Sequence, residues 1–224
     1  MAYCPERLWD SGKSNHLLVI VPGTTGLGFP TKRGFSYIAG AMWAEGISVY
    51  LANTEGQDGR PGAIDMSTWA TNIEAEVEGL RIVHGYSKVH FFGTCLGGPV
   101  AAKCARVYGA QLFLWETSPV YTPAHREDFL RHCATASVHL SEQFWDTLIE
   151  LKESATPDSR ATFFHGSVLQ MPFTDHDLSE LHEHFPEWRF VEITGADHGL
   201  PRGSNPTLLP SLCAEITASI FTHK

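Results

Sequence analysis

Residues 88–109 read KVHFFGTCLGGPVAAKCARVYG, an apolar run that climbs through Gly93-Thr94-Cys95-Leu96-Gly97 straight into a small-residue helical pattern. Such a junction asks for a parallel strand that turns sharply into a helix, and G-x-C-x-G is the spacing of a nucleophile elbow. In that turn the central side chain stands exposed, while the residues two before and two after crowd against it. Glycine at 93 and 97 relieves the crowding. Cys95 is then expected to project at the N-terminus of the following helix, where the helix dipole favours a thiolate. The backbone N–H of Leu96 would face a developing oxyanion. A close-packed junction around an inert thiol can share the same pentapeptide. The flanking strand, the flanking helix and a suitably placed histidine favour catalysis.

The same alternation of strand and helix runs through the chain. HLLVIVPG (16–23), ISVYLAN (47–53), KVHFFG (88–93), AQLFLWE (110–116), RATFFHG (160–166) and RFVEIT (189–194) read as strands. Between them Phe35, Ile38, Ala39, Met42 and Trp43 share one helical face, as do Trp69, Ile73, Val77 and Leu80, with Asp65 or Ser67 as a cap. Further helices are expected at 96–108, at DLSELHEHF with Asp177 as its cap, and at 208–221. This order predicts one α/β domain over 1–224, with a mostly parallel sheet covered by helices on both faces. Residues 119–157 hold helical pieces and no convincing strand, and are expected to form a small lid inserted over the sheet's C-terminal edge.

Composition narrows the function classes. A formal charge of −9, with no dense Lys/Arg face, argues against nucleic acid. No apolar run reaches the roughly 20 residues that cross a bilayer, and MAYCPERLWDSGK lacks the basic-then-apolar pattern of a secretory signal. Five scattered cysteines (4, 95, 104, 133 and 213) form neither a disulfide framework nor a zinc-type CxxC pair, which suits a reducing cytoplasm. His182 and His184 resemble a metal pair but have no plausible third ligand, so neither metal nor cofactor is expected.

Among twelve histidines His198 stands apart, in VEITGADHGLP just past the last strand. In the order nucleophile–acid–histidine the base arrives last, from a loop at the sheet's C-terminal edge. There an imidazole could take the thiol proton and later protonate a leaving group. The loop VIVPGTTGLG offers Thr24, or alternatively Thr25, as the second oxyanion donor.

Together these residues resemble the α/β-hydrolase superfamily, and Gly93-Thr94-Cys95-Leu96-Gly97-Gly98 looks especially like the elbow of dienelactone hydrolases, which use a cysteine nucleophile. The resemblance implies an α/β-hydrolase fold, an oxyanion hole at PGTTG and a catalytic triad closed by GADHG. Two departures stand out. Dienelactone hydrolases carry a Glu in the early loop where this chain has Thr-Thr, and the family's acid follows as HGxxD where this chain has His165-Gly166-Ser167-Val168-Leu169. Glu116, at the end of the preceding strand, is the favoured replacement, because some α/β-hydrolases place the acid there. Asp175, in FTDHD, is the alternative.

The expected activity is hydrolysis of an ester, lactone or thioester through an acyl-enzyme on Cys95, with His198 as acid/base. Trp115, Tyr121, Phe144 and Trp145 are candidate apolar walls for a small-molecule acyl substrate, and any of them could equally be ordinary core. Transfer or cyclisation of a carrier-bound acyl chain, as by a thioesterase-like enzyme, is an alternative. So is a non-catalytic small-molecule binder on the same fold.

Overall fold

In the computed structural model, which describes residues 5–23, 30–52, 54, 63–117, 140–146, 148, 161–168 and 175–222, the apolar runs become strands of one sheet. These are β1 (Leu8–Trp9), β2 (His16–Val21), β3 (Ser48–Leu51), β4 (Lys88–Thr94), β5 (Gln111–Trp115), β6 (Ala161–Gly166) and β7 (Arg189–Ile193). Their spatial order is β1-β3-β2-β4-β5-β6-β7, with β1 antiparallel to β3 and every other pair parallel. The alternation of the sequence thus produces the mostly parallel sheet it predicts. Only β1 has no counterpart there, since two residues are too few to show a period.

The helices are α1 (Pro30–Ala44), α2 (Met66–His84), α3 (Gly97–Tyr108), α4 (Asp175–His184) and α5 (Leu209–Thr222). Strand side chains alternate between two cores, as a period of two requires when both faces are covered. Leu17, Val19, Phe91, Leu112 and Phe163 pack with α2 and α3, whereas Leu18, Ile20, Phe92, Phe113 and Phe164 pack with α1 and α5. Asp65 caps α2 by accepting the Thr68 N–H at 2.7 Å. The cap expected at Asp177 is displaced, because α4 already begins at Asp175 and takes Asp177 into its first turn.

Most of the segment expected as a lid, 119–157, lies outside the described residues. The part that is described joins the body of the protein. Leu140 forms a parallel bridge to Ile64, the Ser141 N–H donates to the Ile64 carbonyl at 3.0 Å, and Phe144 and Leu148 sit buried in the α2/α3 core. Among the described residues no helix is long and apolar enough to cross a membrane.

The strand order also fixes where a site belongs. The chain leaves β2 toward β3 on one side and returns to place β4, parallel to β2, on the other, so the strand order reverses between β2 and β4. Loops after adjacent strands part there and open a crevice at their C-terminal ends. The residues that follow β2 and β4 are Pro22-Gly23 and Cys95.

Candidate active site

Cys95 has a φ of 51°, a left-handed conformation that a non-glycine residue adopts only when its surroundings impose it. The surroundings here are backbone. A Cβ on Gly97 would lie 2.1 Å from the Val21 carbonyl oxygen, and one on Gly93 would lie 2.7 Å from Cα of Gly98. The turn is closed by the Gly98 N–H, which donates to the Cys95 carbonyl at 3.0 Å. Leu96 is fully buried and is the N-cap residue of α3. Cys95 itself is half-buried at the head of that helix.

The strand pairing carries the second group to the first. Thr94 pairs with Trp115, so the residues after them, Cys95 and Glu116, leave neighbouring strands side by side. Glu116 also has a positive φ, 38°, and is almost fully buried. Its carboxylate is held at both oxygens: Oε1 accepts the Gly166 N–H at 2.7 Å and Oε2 lies 3.1 Å from Nδ1 of His198. The HG turn that carries no acid therefore has another part. Its Gly166 amide anchors a carboxylate contributed by the end of the neighbouring strand β5.

His198 sits in the turn after β7, buried, with its backbone carbonyl accepting the Trp115 indole N–H at 3.2 Å. With Nδ1 engaged by Glu116, the ring also hydrogen-bonds to the Cys95 side chain. Burial by itself pulls the imidazole pKa down. The bonds to Cys95 and Glu116, together with the negative charges on both, more than offset this and raise it from 6.5 to about 9. The imidazole is therefore protonated at neutral pH. Two other described thiols are held protonated by their surroundings. Burial pushes Cys213 up to about 12, and burial followed by the nearby Glu74 charge pushes Cys104 higher still.

Of the residues singled out in the sequence, Cys95, Glu116 and His198 come together in one hydrogen-bonded chain, and Leu96 lies at its head. The Asp175 side chain, Thr24, Thr25 and Tyr121 lie outside the described residues. Trp115 and Phe144 have no exposed surface: Trp115 is in the α1/α5 core and Phe144 is in the other. Trp145 packs edge-on against Phe144, with ring centres 5.1 Å apart. Three contributors escaped the reading of the sequence: the Gly166 amide, the Trp115 indole as a tether for the histidine turn, and the Thr94 hydroxyl, which accepts the Gly23 N–H at 3.2 Å. A tryptophan directly before the candidate acid was the only visible trace of the second. Among the described residues no group of three metal-ligating side chains occurs, and His182 instead stacks on Phe190 with ring centres 3.7 Å apart.

No protein-family model matches the sequence, and no curated protein matches it significantly. Solved structures do resemble it. Est1E from Butyrivibrio proteoclasticus, solved with ferulic acid bound, superposes with a TM-score of 0.68 at 13% identity over 95% of this chain and 93% of that one. An esterase from Exiguobacterium antarcticum gives a TM-score of 0.65 at 16% identity, over 90% of this chain and 91% of that one. A carboxylesterase from Nitrososphaera gargenis gives 0.64 at 14% identity, covering 95% and 94%. At such identities the likeness speaks for architecture, and with the sheet order and the turn at Cys95 it establishes that this chain has the α/β-hydrolase fold.

Proposed function

We propose that this protein is a cysteine hydrolase of the dienelactone-hydrolase type, cleaving an ester, lactone or thioester through an acyl-enzyme. The supporting observation is the buried chain from Cys95 through His198 to Glu116, whose carboxylate is fixed at both oxygens. The esterases among the similar structures support the same chemical class.

In this reading the site rests as a Cys95 thiolate beside the His198 imidazolium, and each step follows from those charges. The Cys95 thiolate adds to the substrate carbonyl carbon, and the C=O π pair moves onto oxygen. The Leu96 N–H at the head of α3 and an amide from Thr24 would stabilise that oxyanion. As the intermediate collapses, the C=O reforms, the leaving group departs with its bonding pair, and the His198 imidazolium hands it a proton. Acylation thereby removes the thiolate charge, one of the influences that raised the His198 pKa. The ring is then neutral and able to take a proton from water, whose hydroxide attacks the acyl carbon and finally expels the thiolate. Glu116 holds Nδ1 and steadies the imidazolium throughout.

The free thiols at 95, 104 and 213 fit the cytoplasm as its place of work. Residues 119–157 are the proposed lid, and the substrate is a small-molecule acyl compound. The deciding experiment pairs titration of Cys95 with a chloroacetamide probe and hydrolysis of activated esters, on the protein and on Cys95→Ala. Burst acylation that disappears in Cys95→Ala is expected. An inert Cys95 with no acylation would leave a binding protein on a hydrolase fold, and efficient capture of added alcohols or amines in place of water would make the enzyme a transferase.

A further inference from the structure

The loop after β2 meets the elbow through one side chain that the reaction above does not use. Ladder pairing between β2 and β4 ends at Val21 and Gly93. Two residues on, the Gly23 N–H has no backbone acceptor in that ladder and instead donates to the Thr94 hydroxyl, which is buried and 3.2 Å away. The contact holds Gly23 very close to the nucleophile. A Cβ at that position would lie 2.4 Å from Cβ of Cys95, 2.6 Å from the Thr94 carbonyl oxygen and 3.0 Å from the Leu96 nitrogen. Gly23 therefore walls the space beside both the thiol and the amide expected to face an oxyanion. The peptide that follows it leads into Thr24.

We infer that Thr94 is a positioning residue. Its hydroxyl extends the β2–β4 ladder by one side-chain bond and thereby sets the Gly23 backbone beside Cys95 and the Leu96 amide, so that the oxyanion pocket is held to its working width. This rests on the cysteine-nucleophile reading of the site. It assigns Thr94 no contact with substrate and no part in ionising the thiol, because Glu116 and His198 reach Cys95 by a separate route.

The distinction gives the test. A trifluoromethyl ketone of short acyl chain adds to a thiolate: the S–C bond forms, the C=O pair moves to oxygen, and nothing leaves. Its affinity therefore reads the oxyanion pocket without requiring turnover. Alkylation by chloroacetamide displaces chloride, builds no oxyanion in need of the pocket, and reads the thiolate alone. Thr94→Val is expected to weaken trifluoromethyl ketone binding and p-nitrophenyl acetate turnover together, by about tenfold or more. Its alkylation rate and the pH profile of that rate should stay within about twofold of the parent. Thr94→Ser, which keeps the acceptor, should restore both affected quantities. If Thr94→Val fails to fold, Thr94→Ala is measured against Thr94→Ser in its place.

Unchanged ketone affinity in the valine or alanine variant would overturn the assignment. So would a parallel fall in alkylation, which would place Thr94 on the thiolate. A parent protein that binds the ketone but turns over no ester would refute the hydrolase reading while leaving the Thr94 comparison readable. A parent that neither binds ketone nor alkylates would overturn both.

Discussion

At the residue scale, two side chains in the site carry φ values that are unfavourable for anything but glycine, and they are Cys95 and Glu116. Strain of this kind costs on the order of 1–3 kcal/mol per residue and persists only where the surroundings enforce it. Here it aims a thiol and a carboxylate at one imidazole. Because His198 has its pKa raised from 6.5 to about 9, the stability it contributes is fully present below about pH 6.5 and is lost as pH rises through about 9. Activity and reactivity should therefore separate at high pH. On the proposed mechanism ester turnover needs the imidazolium as acid and should decline above about pH 9, while chloroacetamide alkylation, which needs only thiolate, should not. Parallel decline of the two would contradict the resting ion pair. Glu116→Gln should lower turnover by about 100-fold or more, and Asp175→Asn by far less. The reverse ranking in steady-state kcat would move the acid to Asp175. Cys95 and His198 could be read from spacing, because an elbow and a last-strand histidine are local patterns. Between two carboxylates the sequence could only favour Glu116, since the hold on its Oε1 depends on which strand end faces the Gly166 amide.

At the scale of elements, the site is held by bonds between segments that the chain visits far apart. Trp115 closes β5, and its indole N–H fixes the turn carrying His198 by way of that residue's carbonyl. Trp115→Phe keeps most of the buried ring and removes the donor, leaving a buried carbonyl without its partner. The expected loss is about 1–3 kcal/mol, seen as a lower Tm together with a fall in kcat that exceeds any change in KM. A fall in Tm with kcat unchanged would show a purely structural tryptophan. Phe144 makes the complementary case. It docks the stretch beginning at the Leu140 bridge onto the α2/α3 core and has no exposed surface. Phe144→Ala should cost about 3–5 kcal/mol in chemical denaturation, whereas a side chain lining only a substrate pocket would leave stability nearly unchanged and raise KM. Apolar aromatics near a strand end read alike in a sequence whether they meet substrate or core. Hydropathy reports that such a residue is buried, not by what.

At the scale of the whole molecule, the two-sided sheet gives the protein two ends with opposite uses of histidine. At the C-terminal ends of the strands His198 is kept charged. At the other end His16 and His90, at or near the starts of β2 and β4, stack with ring centres 5.2 Å apart, and their facing nitrogens lie 3.0 Å apart. Strand periodicity announced the two cores and the parallel order, but it passed over this pair, because a single histidine inside an apolar run says nothing about its neighbour across the sheet. Burial, then the His16 ring and the Lys88 charge, lower the His90 pKa from 6.5 to about 4, and burial and Lys88 lower that of His16 as well. For a histidine kept neutral in the folded state the sign is the reverse of His198. Its cost is absent above about pH 6.5 and grows as pH falls toward about 4, since the unfolded chain takes up a proton that the folded one refuses. Between pH 6.5 and 5, mostly above the range where ordinary carboxylates titrate, each such group can remove up to about 1.4 kcal/mol of stability per pH unit. His90→Asn should accordingly flatten the fall of unfolding free energy over that interval, measured by urea denaturation at each pH, even if the variant is less stable at pH 7. Equal slopes in the variant and the parent protein would mean that His90 is charged in the folded state and that the buried pair shares a proton.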